Sequence, residues 1–245
     1  MTKDMTEKQF LSEYDVTEFK RPSTSVDMAI FTVFENELYV LTVKRSNHPE
    51  KGKWALVGGF VDVDKDKDIE ATAKRKLVEK TGVKTPYLEQ YKTIGNKKRD
   101  PRSWSITTVY FALIPSDNIK LKAGVGSSDI KWSKVANEIV EDKLAFDHAE
   151  LLAGCMERLR NKVLYTSLPI HLLSSEFTLG ELQKVYEIIL GQAVERKSFR
   201  RRILNANIIE ETGKMKQSGR RPAKVYQLKD EDKTHFFVRN IEGAS

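Results

Sequence analysis

Hydrophobic and polar positions alternate along the first half of the chain in the manner of β-strands. Residues 25–34 and 37–45 are rich in β-branched and apolar side chains and flank a polar turn at Asn36, which predicts a hairpin. A short apolar run at 54–60 predicts a third strand. Further strands are predicted at 87–94, 104–114 and 129–132.

Two segments of this half show helical periodicity. Ile69, Ala73 and Leu77 recur every fourth residue, which places them on one face of a helix. A second helix is predicted over about 147–162, where an apolar stripe includes Cys155. Because Cys155 is the single cysteine of the chain, it cannot form an internal disulfide, and we expect it to be packed rather than catalytic. The order of the elements predicts a mixed α/β domain.

The pattern changes near Pro169, where helices replace strands as the main element. Thr178 and Glu181 have the spacing of a capping box, and helical periodicity follows until Gly191. The 245 residues are about the length of two domains of ordinary size. The expected divisions are a domain at 1–160, a second domain at 161–229 and a tail at 230–245.

The second domain has the pattern of a winged helix-turn-helix. In a helix over 197–205, Phe199 and Ile203 lie four residues apart and must face the core. At about 100° per residue, Lys197 and Arg201 then point away from it, as in a helix that reads DNA. Strand, basic turn and strand are predicted at 207–211, 212–223 and 224–228.

The distribution of charge supports this interpretation, because the excess of basic residues lies within the second domain. The net charge is +7, and residues 196–224 contain ten Lys or Arg against two Glu. We expect double-stranded DNA to be the partner, with the helix in the major groove and the wing in the minor groove. Alternatives are a solvated basic face, an RNA partner or a protein partner. The residues predicted to contact DNA are Lys197, Ser198, Arg200, Arg201, Arg202, Lys214, Lys216, Arg220, Arg221 and Lys224.

The N-terminus is charged and has no apolar stretch of the length that a signal peptide or membrane helix needs. We therefore expect a cytoplasmic protein without a membrane partner.

The run from Gly58 to Asp62, followed by the run from Arg75 to Val83, resembles the Nudix box, G-x5-E-x7-R-E-U-x-E-E-x-G-U, with a two-residue insertion. In that family the glutamates of the box hold magnesium or manganese beside a nucleoside diphosphate. Here Lys67, Lys76 and Lys80 stand where glutamate is expected, and Glu79 alone remains. Like charges gathered on one helix face repel a divalent cation. We therefore expect no metal site and no hydrolase activity, while lysines still attract phosphate.

The stretch from Arg99 to Trp104 is similar to the RDPRGW-like segment of Nudix enzymes and regulators that handle ADP-ribose. Arg99 and Arg102 would clamp a diphosphate, and Trp104 or Phe60 would stack on adenine. A polar turn with a buried tryptophan is the alternative. No cofactor is expected to be required, and ADP-ribose is the expected effector. The predicted ligand-binding residues are Arg99, Asp100, Arg102, Trp104, Phe60, Arg45, Lys76, Glu79 and Lys80.

The run 145–149 also resembles a stretch at the last helix of the Nudix domain in those regulators, although Asp147 would equally serve as its N-cap. His48 and His148 show no metal-ligand spacing, so neither is expected to bind a metal.

A degenerate Nudix domain followed by a winged helix resembles the NrtR family of Nudix-related transcriptional regulators over about residues 10–228. The resemblance implies an α+β fold, with an α/β/α Nudix sandwich before the winged helix. It also implies a homodimeric repressor of NAD synthesis or salvage genes that releases a palindromic operator when ADP-ribose binds. Two other functions stay open. One is an active ADP-ribose pyrophosphatase with a nucleic-acid-binding domain, and the other is a binding module for protein or RNA.

Overall fold

The computed structural model describes residues 5–83, 87–117, 119–218, 221–230 and 233–238. A seven-residue helix, α1, precedes a mixed six-stranded sheet with one helix on each face. The strands of the sheet are β1 Ser23–Phe34, β2 Glu37–Arg45, β3 Trp54–Phe60, β4 Tyr87–Asn96, β5 Ser105–Leu113 and β6 Ser127–Lys134. The helices of this half are α1 Glu7–Glu13, α2 Ile69–Thr81 and α3 His148–Val163.

The sheet has the order β4-β5-β1-β3-β2-β6, in which β1 and β5 run parallel and the other pairs run antiparallel. Side chains of a strand alternate between faces, and β1 shows the effect. Val26, Met28 and Ile30 pack toward α2, while Ala29 and Phe31 pack toward α3. The sheet is therefore buried on both faces, which confirms the predicted α/β/α sandwich.

The second half is a winged helix whose core continues that of the first. Its elements are a 3₁₀ helix Leu168–Leu172, β7 Glu176–Thr178, α4 Leu179–Leu190, α5 Arg196–Asn205, β8 Ile209–Ser218 and β9 Arg221–Leu228. Thr178 caps α4 with Glu181 in the predicted capping box, and Gly191 ends it at a φ of 69°. Strand β7 was not predicted, because three residues are too few to show a period.

The wing differs from the prediction. Residues 212–218 and 221–223, expected in a long turn, extend the two strands instead. A bulge between Glu211 and Met215, where Gly213 has a φ of 78°, shifts the register of β8 against β9. The backbone hydrogen bonds of the ladder hold this ribbon together without an apolar face, so its polar sequence gave no strand signal.

Helix α3 joins the two halves. Leu151, Leu152 and Cys155 pack under the sheet, and Leu159 belongs to the same buried cluster as Phe177 and Leu182 of the winged helix. Burial raises the pKa of Cys155 to about 12, in keeping with a packed thiol. Within the described residues, no helix is long and apolar enough to cross a membrane.

Because the buried cluster is continuous, we expect the two halves to unfold together. Phe177 is 1% exposed, and Phe177→Ala should lower the free energy of unfolding by about 3–5 kcal/mol. Trp54, Trp104 and Trp132 all lie in the first half, so their fluorescence should report the loss. Leu204→Ala, at a 45% exposed site on α5, is the control and should change little. A tryptophan transition that stays at the wild-type denaturant concentration in Phe177→Ala would show that the halves unfold independently.

Candidate functional site

A cavity of about 670 Å³ opens beside β3, α2 and the loop that follows β4. Gly58 and Gly59 form its floor, and the structure brings most of the predicted ligand-binding residues to its wall. Eight of the nine line it, namely Arg45, Phe60, Lys76, Glu79, Lys80, Arg99, Asp100 and Arg102.

Trp104 is the predicted residue that does not line this cavity. It directly precedes β5 and packs against Gly95 of β4, where an added Cβ would come within 2.7 Å of its Cη2 atom. It is 44% exposed, so neither stacking in the cavity nor the alternative of a buried tryptophan describes its position.

Helix α2 is built by local interactions that the box sequence encodes. Asp68 caps its start by accepting from the Ala71 amide at 2.7 Å, and Gly82 ends it in the left-handed conformation at a φ of 73°. Asp66 accepts from Nε of Arg75 at 2.7 Å and Nη2 at 2.5 Å. These bonds hold the pKa of Asp66 far below its ordinary value. The Asp66 pair thus fixes the loop before α2 against the helix.

Lys67, at the first glutamate position of the box, does not reach the cavity. Its side chain is 86% exposed and lies 3.9 Å from the Asp68 carboxylate, outside the cavity wall. The neighbouring residue Asp66 points inward in its place, because one carboxylate can satisfy Arg75 and the Thr72 hydroxyl together. Of the three lysines at predicted glutamate positions, two therefore reach the cavity.

Lys76 and Arg75 bind the surviving acid, Glu79. Glu79 accepts from Nζ of Lys76 at 3.1 Å and from Nη1 of Arg75 at 3.1 Å. Burial raises the pKa of Glu79, but the bonds from Lys76 and Arg75 outweigh it, and the net pKa is lowered. The carboxylate therefore stays ionised, with a cation bound to each oxygen. The Lys76 chain lies against Gly59, where an added Cβ would come within 2.7 Å of Cε.

Lys80 is 5% exposed and donates to Oγ of Ser127 at 2.6 Å. Burial and then the Lys76 charge lower its pKa, because both disfavour a second ammonium group at this site. Among the described residues, no three His, Cys, Asp or Glu side chains converge where they could hold a metal ion.

A buried ionic network lies at the back of the cavity. Arg99 donates to Asp27 at 2.9 Å and to Asp147 at 3.0 and 3.2 Å, and its side chain is 6% exposed. Burial alone would lower the pKa of Arg99, but the two carboxylates reverse the direction. Arg99 therefore holds β1 and the start of α3 together. The sequence had suggested a diphosphate clamp, yet two carboxylates already accept from its guanidinium.

His148 completes the network as a neutral imidazole. Its Nδ1 atom accepts from the Leu56 amide at 2.9 Å, so the proton lies on Nε2, which is 3.6 Å from the Asp27 carboxylate. Burial lowers the pKa of His148, which keeps it uncharged. Asp147 stands at the N-cap of α3 but makes no capping bond. Asp147 is therefore the N-cap residue, as the alternative predicted, but its carboxylate binds Arg99 instead of the helix amides.

Two aromatic rings flank the cavity, each beside an arginine. Arg102 lies 5.3 Å from the Phe60 ring and donates to Asp100 at 2.6 Å. Arg45 lies 4.6 Å from the ring of Phe146. Phe60 is 47% exposed, which leaves ring surface available for stacking. Phe146 was not among the predicted site residues, and its backbone φ of 53°, a signal absent from the sequence, turns it into the cavity.

The basic surface of the winged helix lies far along the chain from this cavity. In α5, Phe199 and Ile203 are buried as predicted, and Lys197 and Arg201 are exposed on the opposite side. Glu195 caps the helix by accepting from the amides of Lys197 and Ser198. Ser198 is also exposed, whereas Arg200 is half-buried.

Arg202 departs from the predicted DNA-facing set. Its guanidinium lies 4.5 Å from the ring of Phe237 and donates to the Leu164 carbonyl at 3.3 Å. Both partners belong to the junction between the halves of the chain, so Arg202 is directed toward the protein.

The wing lysines are exposed but paired. Lys214 donates to Glu176, Lys216 to Glu181 and Lys224 to Glu211, at 2.6, 2.6 and 2.8 Å. Exposed pairs of this kind are weak, so phosphate can displace the carboxylates. Arg221 is exposed at the start of β9, and Arg220 lies outside the described residues.

Both halves of the chain match the profiles of known protein families. The NUDIX domain profile matches residues 24–155, and the profile of the NrtR DNA-binding winged helix domain matches residues 169–228. A protein of Acinetobacter baylyi named "ADPR responsive transcriptional repressor NtrR" is 46% identical over 236 residues, which are 96% of this chain and 94% of that protein.

Solved structures agree with the sequence matches. The crystal structure of Shewanella oneidensis NrtR with a 27mer DNA is 43% identical, with a TM-score of 0.81, covering 89% of this chain and 99% of that one. The Nudix domain of the same Shewanella protein, crystallised with ADP-ribose, is 44% identical with a TM-score of 0.59. It covers 63% of this chain and 99% of that one.

The buried network predicts unequal roles for the two arginines of the loop. Arg99→Ala leaves two buried carboxylates without their cation and should lower the free energy of unfolding by about 3–5 kcal/mol. Arg102→Ala removes a side chain that is 46% exposed and leaves Asp100 bound to the backbone amide of residue 102, so it should lower the free energy of unfolding by less. Urea denaturation of both variants checks this, and equal losses would refute the structural role of Arg99.

Proposed function

The chain belongs to the NrtR family, and we propose that it is a transcriptional repressor whose Nudix domain binds ADP-ribose and whose winged helix binds a DNA operator. One observation carries the proposal. A cavity whose expected metal-binding positions hold Lys76 and Lys80 shares a chain and a continuous core with an exposed basic helix.

The proposed ligand fits the chemistry of the cavity wall. Lys76 and Lys80 supply positive charge to the cavity wall, and the missing Cβ of Gly59 leaves room for the Lys76 side chain there. Ser127 and Glu79 now accept from these lysines, and phosphate oxygens would compete for the same donors. The exposed ring of Phe60 offers a stacking surface for adenine.

The same residues fit a divalent cation poorly. Magnesium sites need carboxylate or other oxygen ligands, and the Glu79 carboxylate is already bound by Lys76 and Arg75. The ammonium group of Lys80 follows at the next position of the box. We infer that the chain binds a nucleotide without hydrolysing it. The pyrophosphatase alternative depends on Glu79, whose negative charge is paired with Lys76 and Arg75 in this arrangement.

We further propose that the repressor acts as a homodimer on a palindromic operator of NAD metabolism genes, in the cytoplasm. Each α5 would enter one major groove, with the wing beside it. ADP-ribose would favour a geometry in which the two helices no longer match successive half-sites, so that the ligand acts as the inducer. By linkage, DNA would weaken ADP-ribose binding by the same factor.

A gel-shift titration tests this function. We expect ADP-ribose to weaken binding to an operator, selected from a random duplex library, by about 5- to 150-fold in the presence of EDTA. The same samples with magnesium or manganese should yield no AMP. Operator affinity that is unchanged by saturating ADP-ribose would contradict the sensor function, and AMP release would restore the enzyme alternative.

Two lysines of the box should differ in their effect on ligand binding. Lys76 lines the cavity, and Lys76→Ala should weaken ADP-ribose binding by about tenfold or more, because a charged hydrogen bond contributes roughly 1.5–3 kcal/mol. Lys67→Ala makes the same charge change at an exposed site outside the cavity and should leave binding unchanged. Calorimetry in EDTA measures both. Equal effects from the two variants would indicate general electrostatic attraction rather than a specific site.

A further inference from the structure

Residues 233–238 of the C-terminal tail cross the junction between the two halves and reach α5. Residues 234–237, which we name the latch, run antiparallel to residues 165–167, the connector between α3 and the 3₁₀ helix. The Ser167 amide donates to the His235 carbonyl at 3.0 Å, and the Phe237 amide donates to the Tyr165 carbonyl at 2.8 Å. The His235 amide donates to Oγ of Ser167 at 2.9 Å.

The connector is fixed from its other side as well. Its middle residue, Thr166, is 0% exposed and donates from Oγ1 to the Lys162 carbonyl at the end of α3. The Tyr186 hydroxyl of α4 donates to the Thr166 carbonyl at 2.7 Å. The latch and α4 thus hold one short segment between them, and its position sets the angle at which the winged helix leaves α3.

Phe237 ties the latch to the recognition helix. It is 8% exposed, while its neighbour Phe236 is 60% exposed, as expected for alternating side chains of an extended segment. The Phe237 ring lines a cavity of about 240 Å³ with Phe199 and Ile203 of α5. Arg202 of α5 covers that ring at 4.5 Å and donates to Leu164.

The latch also touches the ligand-binding domain. Thr234 lies beside the Tyr87 hydroxyl at the start of β4, and Tyr87 and Lys162 of α3 both donate to the Glu89 carboxylate. The far end of β4 leads into the loop that carries Arg99 and Arg102. A shift of this strand on ligand binding would therefore reach the latch through Tyr87.

We propose that the latch couples the ligand cavity to the recognition helix, with Phe237 and Arg202 as positioning residues that do not contact DNA. The proposal rests on the proposed function for its regulatory consequence. Its structural part stands on the contacts above. Arg201 and Arg202 are both exposed, but Arg201 lies about 100° away around α5, on the side opposite Phe199 and Ile203.

Four full-length variants test the coupling. Phe237→Ala should reduce the effect of ADP-ribose on operator affinity to less than about twofold, against about 5- to 150-fold for the wild type, while ADP-ribose affinity is kept. Phe236→Ala, the matched control, should respond as the wild type does. Arg201→Ala should lower the slope of log affinity against log salt by about 1, and Arg202→Ala should leave it unchanged. A lower slope in Arg202→Ala, or a full response in Phe237→Ala, would overturn the proposal.

Hydrogen exchange separates this failure from failure of the proposed function. In the protein without ligand or DNA, Phe237→Ala should raise exchange at the Ser167 amide by about tenfold, and Phe236→Ala should not. Unchanged exchange overturns the latch whatever ADP-ribose does. If exchange rises but ADP-ribose does not change the operator affinity of the wild type, the proposed sensor function is wrong. The regulatory consequence of the latch is then wrong as well.

Discussion

Two buried carboxylates that must share one cation set the geometry of the ligand-binding half. Asp27 on β1 and Asp147 at the start of α3 are both held by Arg99, and a buried charge without a partner is strongly unfavourable. The loop after β4 must therefore close over the sheet at the point where α3 begins. This closure forms the back wall of the cavity, and it also sets the direction in which α3 leaves toward the winged helix.

The direction of α3 also sets the position of the winged helix, because the winged helix shares a buried core with the first half. Leu159 near the end of α3 and Phe177 at β7 belong to one buried cluster, so no polar linker separates the domains. Tyr186 and the tail then fix the connector by hydrogen bonds. A change at the cavity can reach α5 through packed elements that have few ways to move independently.

The loop and helix of the Nudix-like box keep their structure although lysines stand at two of the cavity positions where glutamate is expected. The caps of α2 and the Asp66 to Arg75 pair keep the loop and helix in place, while Lys76 and Lys80 occupy the cavity side of the helix. Glu79 is the ion-pair partner of Lys76 and Arg75, which leaves it poorly placed to bind a metal ion. Under the proposed function, this framework binds a diphosphate and lacks the carboxylates that would hold a metal ion and activate water.

Local periodicity in the sequence was sufficient to predict the strands of the sheet, α2, α3 and the basic side of α5, since strands alternate every second residue and helices repeat every three or four. The frame of the box was equally visible. Only the tertiary structure showed that Arg99 binds Asp27 and Asp147, which lie 72 and 48 positions away, that Lys67 points outward, and that Arg202 faces the tail. The outcomes for Arg99 and Arg202 were decided by contacts between distant segments, because a charged group binds whichever partner the fold brings close, and no spacing along the chain encodes that choice.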